Sequence, residues 1–132
     1  TSYISKKYNI PVKYKPLEVN QKFDYMPLDE FITNWSSCLF HFNLDPIDYF
    51  PGKQAVHVAS VGSINIGGVN ENHSLLYPDT ATCDTKILEE RVIEYMEDEN
   101  KRNNVIMNAW NKLNETFSFE AVRKQIEGIK YV

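Results

Sequence analysis

The sequence predicts an α+β fold: an extended N-terminal arm, a small antiparallel β element, one mid-chain helix, and a long C-terminal helix followed by a short one. Three observations carry that expectation. Apolar residues alternate between Tyr8 and Tyr14, they recur at three- and four-residue spacing from Leu28 and again from Leu88, and pairs of Val and Ile flank Gly62 between those two stretches.

In the arm, residues 1–26, Tyr8, Ile10, Val12 and Tyr14 share one face of an extended segment. Pro11 confines that segment to a sheet edge or to no sheet at all, because it has no N–H to give to a ladder. The remaining residues, 27–132, are expected to form a single α+β domain. A helix is predicted from Leu28 to His41, with Pro27 at its start and Asp29 and Glu30 complementing the positive end of its dipole. Its apolar positions are Leu28, Phe31, Ile32, Trp35, Leu39 and Phe42.

Pro46 and Pro51 make a loop of residues 43–52. Two short strands follow, one through Val56 and Val58 and one through Ile64 and Ile66, with Gly62 as the turn or bulge between them. Residues 70–84, rich in Asn, Pro, Asp and hydroxyl side chains, are expected to connect. Asp84 or Thr85 then caps a helix carrying Leu88, Val92, Tyr95, Met96, Ile106, Trp110 and Leu113. Such a helix is long for a globular domain, and a break near Asn103 and Asn104 is the competing expectation. Ser118 caps the last helix, from Phe119 to Glu127, and Gly128 ends it.

At 132 residues with 42% hydrophobic and 13% aromatic side chains, the chain has enough apolar material for one core without staples. No run approaches the roughly 18 to 20 apolar residues that span a bilayer. A start at Thr1 fits methionine removal or cleavage of a presequence. The net charge of −4 conceals a basic start: Lys6, Lys7, Lys13, Lys15 and Lys22 face only Glu18 and Asp24 in residues 1–26. An acidic chain lacks the concentrated positive surface that phosphate backbones require, so nucleic acid is not an expected partner.

Residues that could carry chemistry are scattered. Cys38 and Cys83 could pair outside the cytosol, but two cysteines are too few for a disulfide framework and suit buried thiols. A zinc site would have to join Cys38 and His41 to His73 and Cys83, without the short ligand pairing on both sides that makes zinc motifs specific. His57 has no neighbouring acid or nucleophile. Gly62, Gly67 and Gly68 follow a predicted strand but lack the Lys-Ser or Lys-Thr of a phosphate loop. Sequons at Asn34, Asn72 and Asn114 come close to chance in a chain with 13 Asn.

No catalytic, cofactor or metal residues are therefore assigned, and no cofactor or small-molecule substrate is expected. The sequence points to a non-catalytic accessory or structural subunit of a larger multiprotein assembly, with other protein subunits as partners. Its Asn, Lys, Ile and Tyr content and its missing Met suit a mitochondrial complex. Tyr3, Tyr8, Ile10, Val12 and Tyr14 are the expected partner-binding residues, since Tyr-rich extended segments offer large contact area at low entropy cost. The alternative is a small secreted or compartmental ligand-binding domain with one disulfide, Cys38 to Cys83, and an aromatic-lined pocket.

Overall fold

The apolar side chains of residues 53–60 decide the architecture. Ala55, Val58 and Ala59 recur at three- and four-residue spacing and are all buried, which is the pattern of a helix pressed against a core. The computed structural model describes residues 6–9, 11, 27–44 and 52–129, and its elements run α1 (Leu28–Ser36), β1 (Phe40–Asn43), α2 (Lys53–Ser60), β2 (Ile64–Gly67), α3 (Glu71–Leu76), α4 (Thr85–Glu97), α5 (Glu99–Phe117) and α6 (Phe119–Glu127).

The expected antiparallel β element is replaced by a parallel pair. β1 and β2 pair in register Phe40↔Ile64, His41↔Asn65, Phe42↔Ile66 and Asn43↔Gly67. Val56 and Val58 lie in α2, not in a strand, so the partner of β2 comes from before the helix. Parallel neighbours need a crossover long enough to return the chain to the same end, and α2 supplies it. The alternation of Val56 and Val58 misled because a two-residue period over so few residues is also compatible with a helical face.

The mid-chain helix is shorter than expected. It ends at Ser36, where Ser37 and Cys38 turn the chain, and Phe40 and His41, expected in the last helical turn, belong instead to β1. Aromatic Phe40 and Phe42 favour a pleated, half-buried strand once a partner is present. Residues 70–84, expected to be a connection throughout, contain α3.

The long C-terminal helix is broken, at Asp98 and not at Asn103 or Asn104. Asp98 takes φ −117° and ψ 101°, its N–H donates to the Glu94 carbonyl at 2.9 Å, and its carboxylate accepts from the Lys101 N–H at 3.0 Å. One residue thus closes α4 and caps α5. Arg102 donates from Nη1 to the Tyr95 carbonyl at 3.2 Å, covering an acceptor left open by the end of α4. The break also resets the helical phase, so the inward positions of α5 are Ala109 and Leu113 and Trp110 turns outward.

Other expected ends hold. The Asp84 carboxylate accepts from the N–H groups of Lys86 and Ile87, Ser118 accepts from Ala121, and Gly128 follows α6. The expected extended conformation fails at Tyr8, which lies with Lys6 and Lys7 in a helical turn. The rest of the arm apart from Asn9 and Pro11, like most of the loop expected at 43–52, falls outside the described residues.

The core gathers Ala55, Val58 and Ala59 of α2, Ile64 and Ile66 of β2, Leu76, Tyr77, Leu88, Val92, Tyr95, Ala109 and Leu113. β2 is buried along its whole length, so it carries isoleucine on one face and the polar Asn65 on the other. Asn65 is accommodated because every polar atom it brings is bonded. Its side-chain oxygen accepts from Gln54 Nε2 at 3.0 Å, its Nδ2 donates to the Gly67 carbonyl at 2.8 Å, and its own carbonyl accepts from Thr80 Oγ1 at 2.6 Å. Tyr77, also buried, donates its hydroxyl to the Ser63 carbonyl at 2.9 Å. Burial pushes the Tyr77 phenol well above its ordinary value, and burial together with the Asp79 charge pushes Tyr95 up to about 12.

Candidate functional site

Two helices present apolar faces that the core does not use. α6 has no buried residue, although Phe119, Val122, Ile126 and the following Ile129 fall at three- and four-residue spacing. Phe119 is 99% exposed, Ile126 57% and Ile129 56%. The remaining α6 positions hold two intrahelical ion pairs, Glu120 with Lys124 at 2.9 Å and Arg123 with Glu127 at 3.5 Å. These stabilise an isolated helix modestly and leave its apolar face uncovered. α6 is held to the end of α5 through the Ser118 cap and a bond from Gln125 Nε2 to the Thr116 carbonyl at 3.4 Å.

The exposed apolar stretch continues backwards into α5. Met107, Trp110 and Phe117 are exposed on that helix, and only Ser118 separates Phe117 from Phe119. A lone exposed leucine needs no explanation; here seven large apolar side chains are exposed on two consecutive helices and the residue that follows them.

α1 is the second such element. It too has no buried residue, and Leu28 and Ile32 point outward, Leu28 at 72% exposure. Its other side is held by aromatic contacts. Phe31 lies 4.8 Å from Trp35 between ring centroids, Trp35 stacks on His41 at 4.5 Å, and His57 of α2 meets Phe31 and Trp35 edge-on at 5.9 and 6.0 Å. His41 also donates from Nε2 to the Trp35 carbonyl at 3.0 Å, and desolvation lowers its proton affinity against the opposing pull of its backbone bonds.

A polar cluster lies where the chain leaves β2. Ligands of parallel sheets are received beyond the carboxyl ends of the strands. Here Asn70 and His73, both buried, occupy that position themselves. His73 Nδ1 donates to Asn70 Oδ1, and His73 Nε2 has no partner. Gly52, at the start of α2, and Gly68 take φ +88° and +86°, and a Cβ at either would run into the His73 ring. Among the described residues, the cluster brings no acid or thiol to His73.

The residues singled out in the sequence are dispersed. Cys38 and His41 stay near each other, with Cys38 Sγ bonded to the Asn34 carbonyl at 3.5 Å, while His73 sits in the polar cluster after β2. Among the described residues, no three His, Cys, Asp or Glu side chains are placed to hold a metal ion. Cys38 and Cys83 are not joined in a disulfide. Tyr3, Ile10, Val12 and Tyr14 lie outside the described residues. Tyr8 is half-buried and donates its hydroxyl to Glu97 Oε1 at 2.9 Å, with Lys7 Nζ 5.0 Å from its ring centre, so it ties the N-terminal segment to the end of α4.

Sequence reasoning found α6 but passed over its apolar face. The signal was the spacing of Phe119, Val122, Ile126 and Ile129. Among the described residues no helix is long and apolar enough to cross a membrane. Comparison with protein-family models, curated proteins and solved structures gives no match for this chain.

Proposed function

We propose that the protein is an accessory subunit of a larger protein assembly, acting through contacts with other subunits and not through catalysis. The observation that carries this reading is the outward apolar face of α6, with Phe119 almost wholly in solvent. Aromatic and aliphatic side chains at helical spacing form the anchors by which a helix lies in a partner's groove. Met107, Trp110 and Phe117 extend the face, and Leu28 and Ile32 of α1 offer a second contact. The arm residues Tyr3, Tyr8, Ile10, Val12 and Tyr14 are proposed as secondary contacts of the same assembly.

The test is purification of the native protein under conditions that keep complexes intact, with sizing and mass spectrometry of whatever travels with it. Stoichiometric companions are expected, and a doubly substituted chain, Phe119→Ser with Ile126→Ser, is expected to lose them. Buried anchors of this kind contribute about 2 kcal/mol or more each to association. Because both side chains are exposed in the isolated chain, its circular dichroism and thermal midpoint are expected to stay within about 0.5 kcal/mol of the parent. A native protein travelling as a lone monomer, or a double variant that keeps its companions, rejects the proposal.

A further inference from the structure

His73 is fully buried on α3, a helix of only six residues. Such a helix does not stand alone in water and is held in place by what it packs against. Here the packing converges on the His73 ring: Gly52 and Gly68 lie against it so closely that neither tolerates a Cβ, and Asn70 takes the proton of Nδ1 in a hydrogen bond. Nε2 is then the bare nitrogen of a neutral ring, without a partner among the described residues and out of contact with solvent.

We propose that His73 is a proton-operated latch: its neutral ring holds the turn after β2 against the start of α2, and its protonation releases that turn together with α3. A proton on Nε2 creates a buried donor and a full positive charge with no acceptor in reach among the described residues, and this state is relieved by opening the turn to water. The ionisable side chains on the surrounding elements are Lys53 and His57 of α2, Glu71 of α3, Tyr77 and Asp79 in the turn that follows, and Glu99, Lys101, Arg102, Lys112 and Glu115 of α5. Among the described residues, the one recorded bond of the His73 side chain is to Asn70, and burial is the one influence on its proton affinity, which it lowers. Among the described residues, no carboxylate compensates the charged ring.

The direction of the effect follows from that lowering. The unfolded or opened segment takes up its proton near the ordinary value of 6.5, and the closed segment only at lower pH. The closed state is therefore fully favoured above 6.5 and loses ground as pH falls below it. The loss continues until the closed form itself protonates.

Amide hydrogen exchange of the intact chain, followed by NMR between about pH 8 and about pH 5, tests the latch. The reporters are Ser74, bonded to the Asn70 carbonyl, Tyr77, bonded to that of His73, and Gly67, bonded to that of Thr80. After correction for intrinsic rates, their protection is expected to fall about tenfold per pH unit below the ordinary histidine value, while the amides of α5 hold theirs. In His73→Phe the same amides are expected to lose this dependence. A dependence that persists in His73→Phe overturns the proposal, as does flat protection in the parent chain. Where His73→Phe does not fold, the ring nitrogens of the parent decide: a His73 midpoint below the ordinary value that coincides with opening of the turn sustains the latch, and a midpoint at the ordinary value with the turn closed rejects it.

Discussion

Truncating Ile66 to alanine is expected to cost about 2 to 5 kcal/mol of folding stability, the range for removing a large aliphatic side chain from a packed interior. Ile66 has no exposed surface, and it lies in β2, which is buried along its whole length. It pairs with Phe42 across the sheet, and α2 supplies Ala55, Val58 and Ala59 to the same core. Two small alanines on the covering helix let it come close, so the space left by a truncated Ile66 has no flexible neighbour on α2 to fill it. Urea unfolding is the measurement, with the midpoint lowered and the slope unchanged. Leu75, on the exposed side of α3, is the control, and its truncation is expected to cost less than about 1 kcal/mol. Equal losses at the two positions would contradict the assignment of β2 to the centre of the core.

Gly68→Ala is expected to cost at least about 2 kcal/mol, from two sources. Gly68 has φ +86°, a conformation that L side chains adopt only at a cost. An alanine Cβ would also stand 2.6 Å from Cγ of His73, whose ring is enclosed and has nowhere to move. Gly62→Ala separates the two sources. Its φ is +72°, yet nothing lies within 4 Å of an added Cβ, so only the backbone cost of about 1 kcal/mol remains. Thermal or urea unfolding of the two variants gives the comparison. Similar losses would show that the Gly68 turn is not packed on His73.

What the sequence made legible was what local chemistry decides. Asp84, Ser118 and Gly128 mark helix ends through bonds to residues within four positions, and the structure has them in those places. The heptad-like spacing of Leu88, Val92 and Tyr95 identified the buried face of α4 for the same reason. The pairing of strands is not local. Whether Ile64 and Ile66 meet Val58 across a turn at Gly62 or Phe42 across a helix depends on which state residues 53–60 adopt. Their helicity is decided by the burial of Ala55 and Ala59, which a count of β-branched residues does not register.

The sequence places Phe40 and His41 at the end of a helix by the same mechanism, since helical spacing from Leu28 onward continues through Phe42 until a partner strand claims their backbone groups. Asp98 was legible in principle, being a capping residue followed by Glu99, but the apolar phase on either side seemed to carry through it.

The candidate surface was hidden for a different reason. Periodicity shows that Phe119, Val122 and Ile126 share a face, and the ordinary expectation is that such a face is buried. Only the tertiary arrangement shows that α6 leaves the core at Ser118 and exposes it. His73 was weighed as a zinc ligand, whereas its surroundings are glycine backbone and Asn70, with no cysteine bonded to it.

Side-chain footprinting with hydroxyl radicals bears most directly on whether the outward apolar face is a subunit contact. The native assembly and the isolated chain are labelled in parallel, and Phe119, Met107 and Trp110 are read by mass spectrometry. Strong protection of all three in the native preparation, with Glu89 and Glu90 on the exposed side of α4 labelled alike in both, is the expected result. Equal labelling of Phe119, Met107 and Trp110 in the two preparations would contradict it.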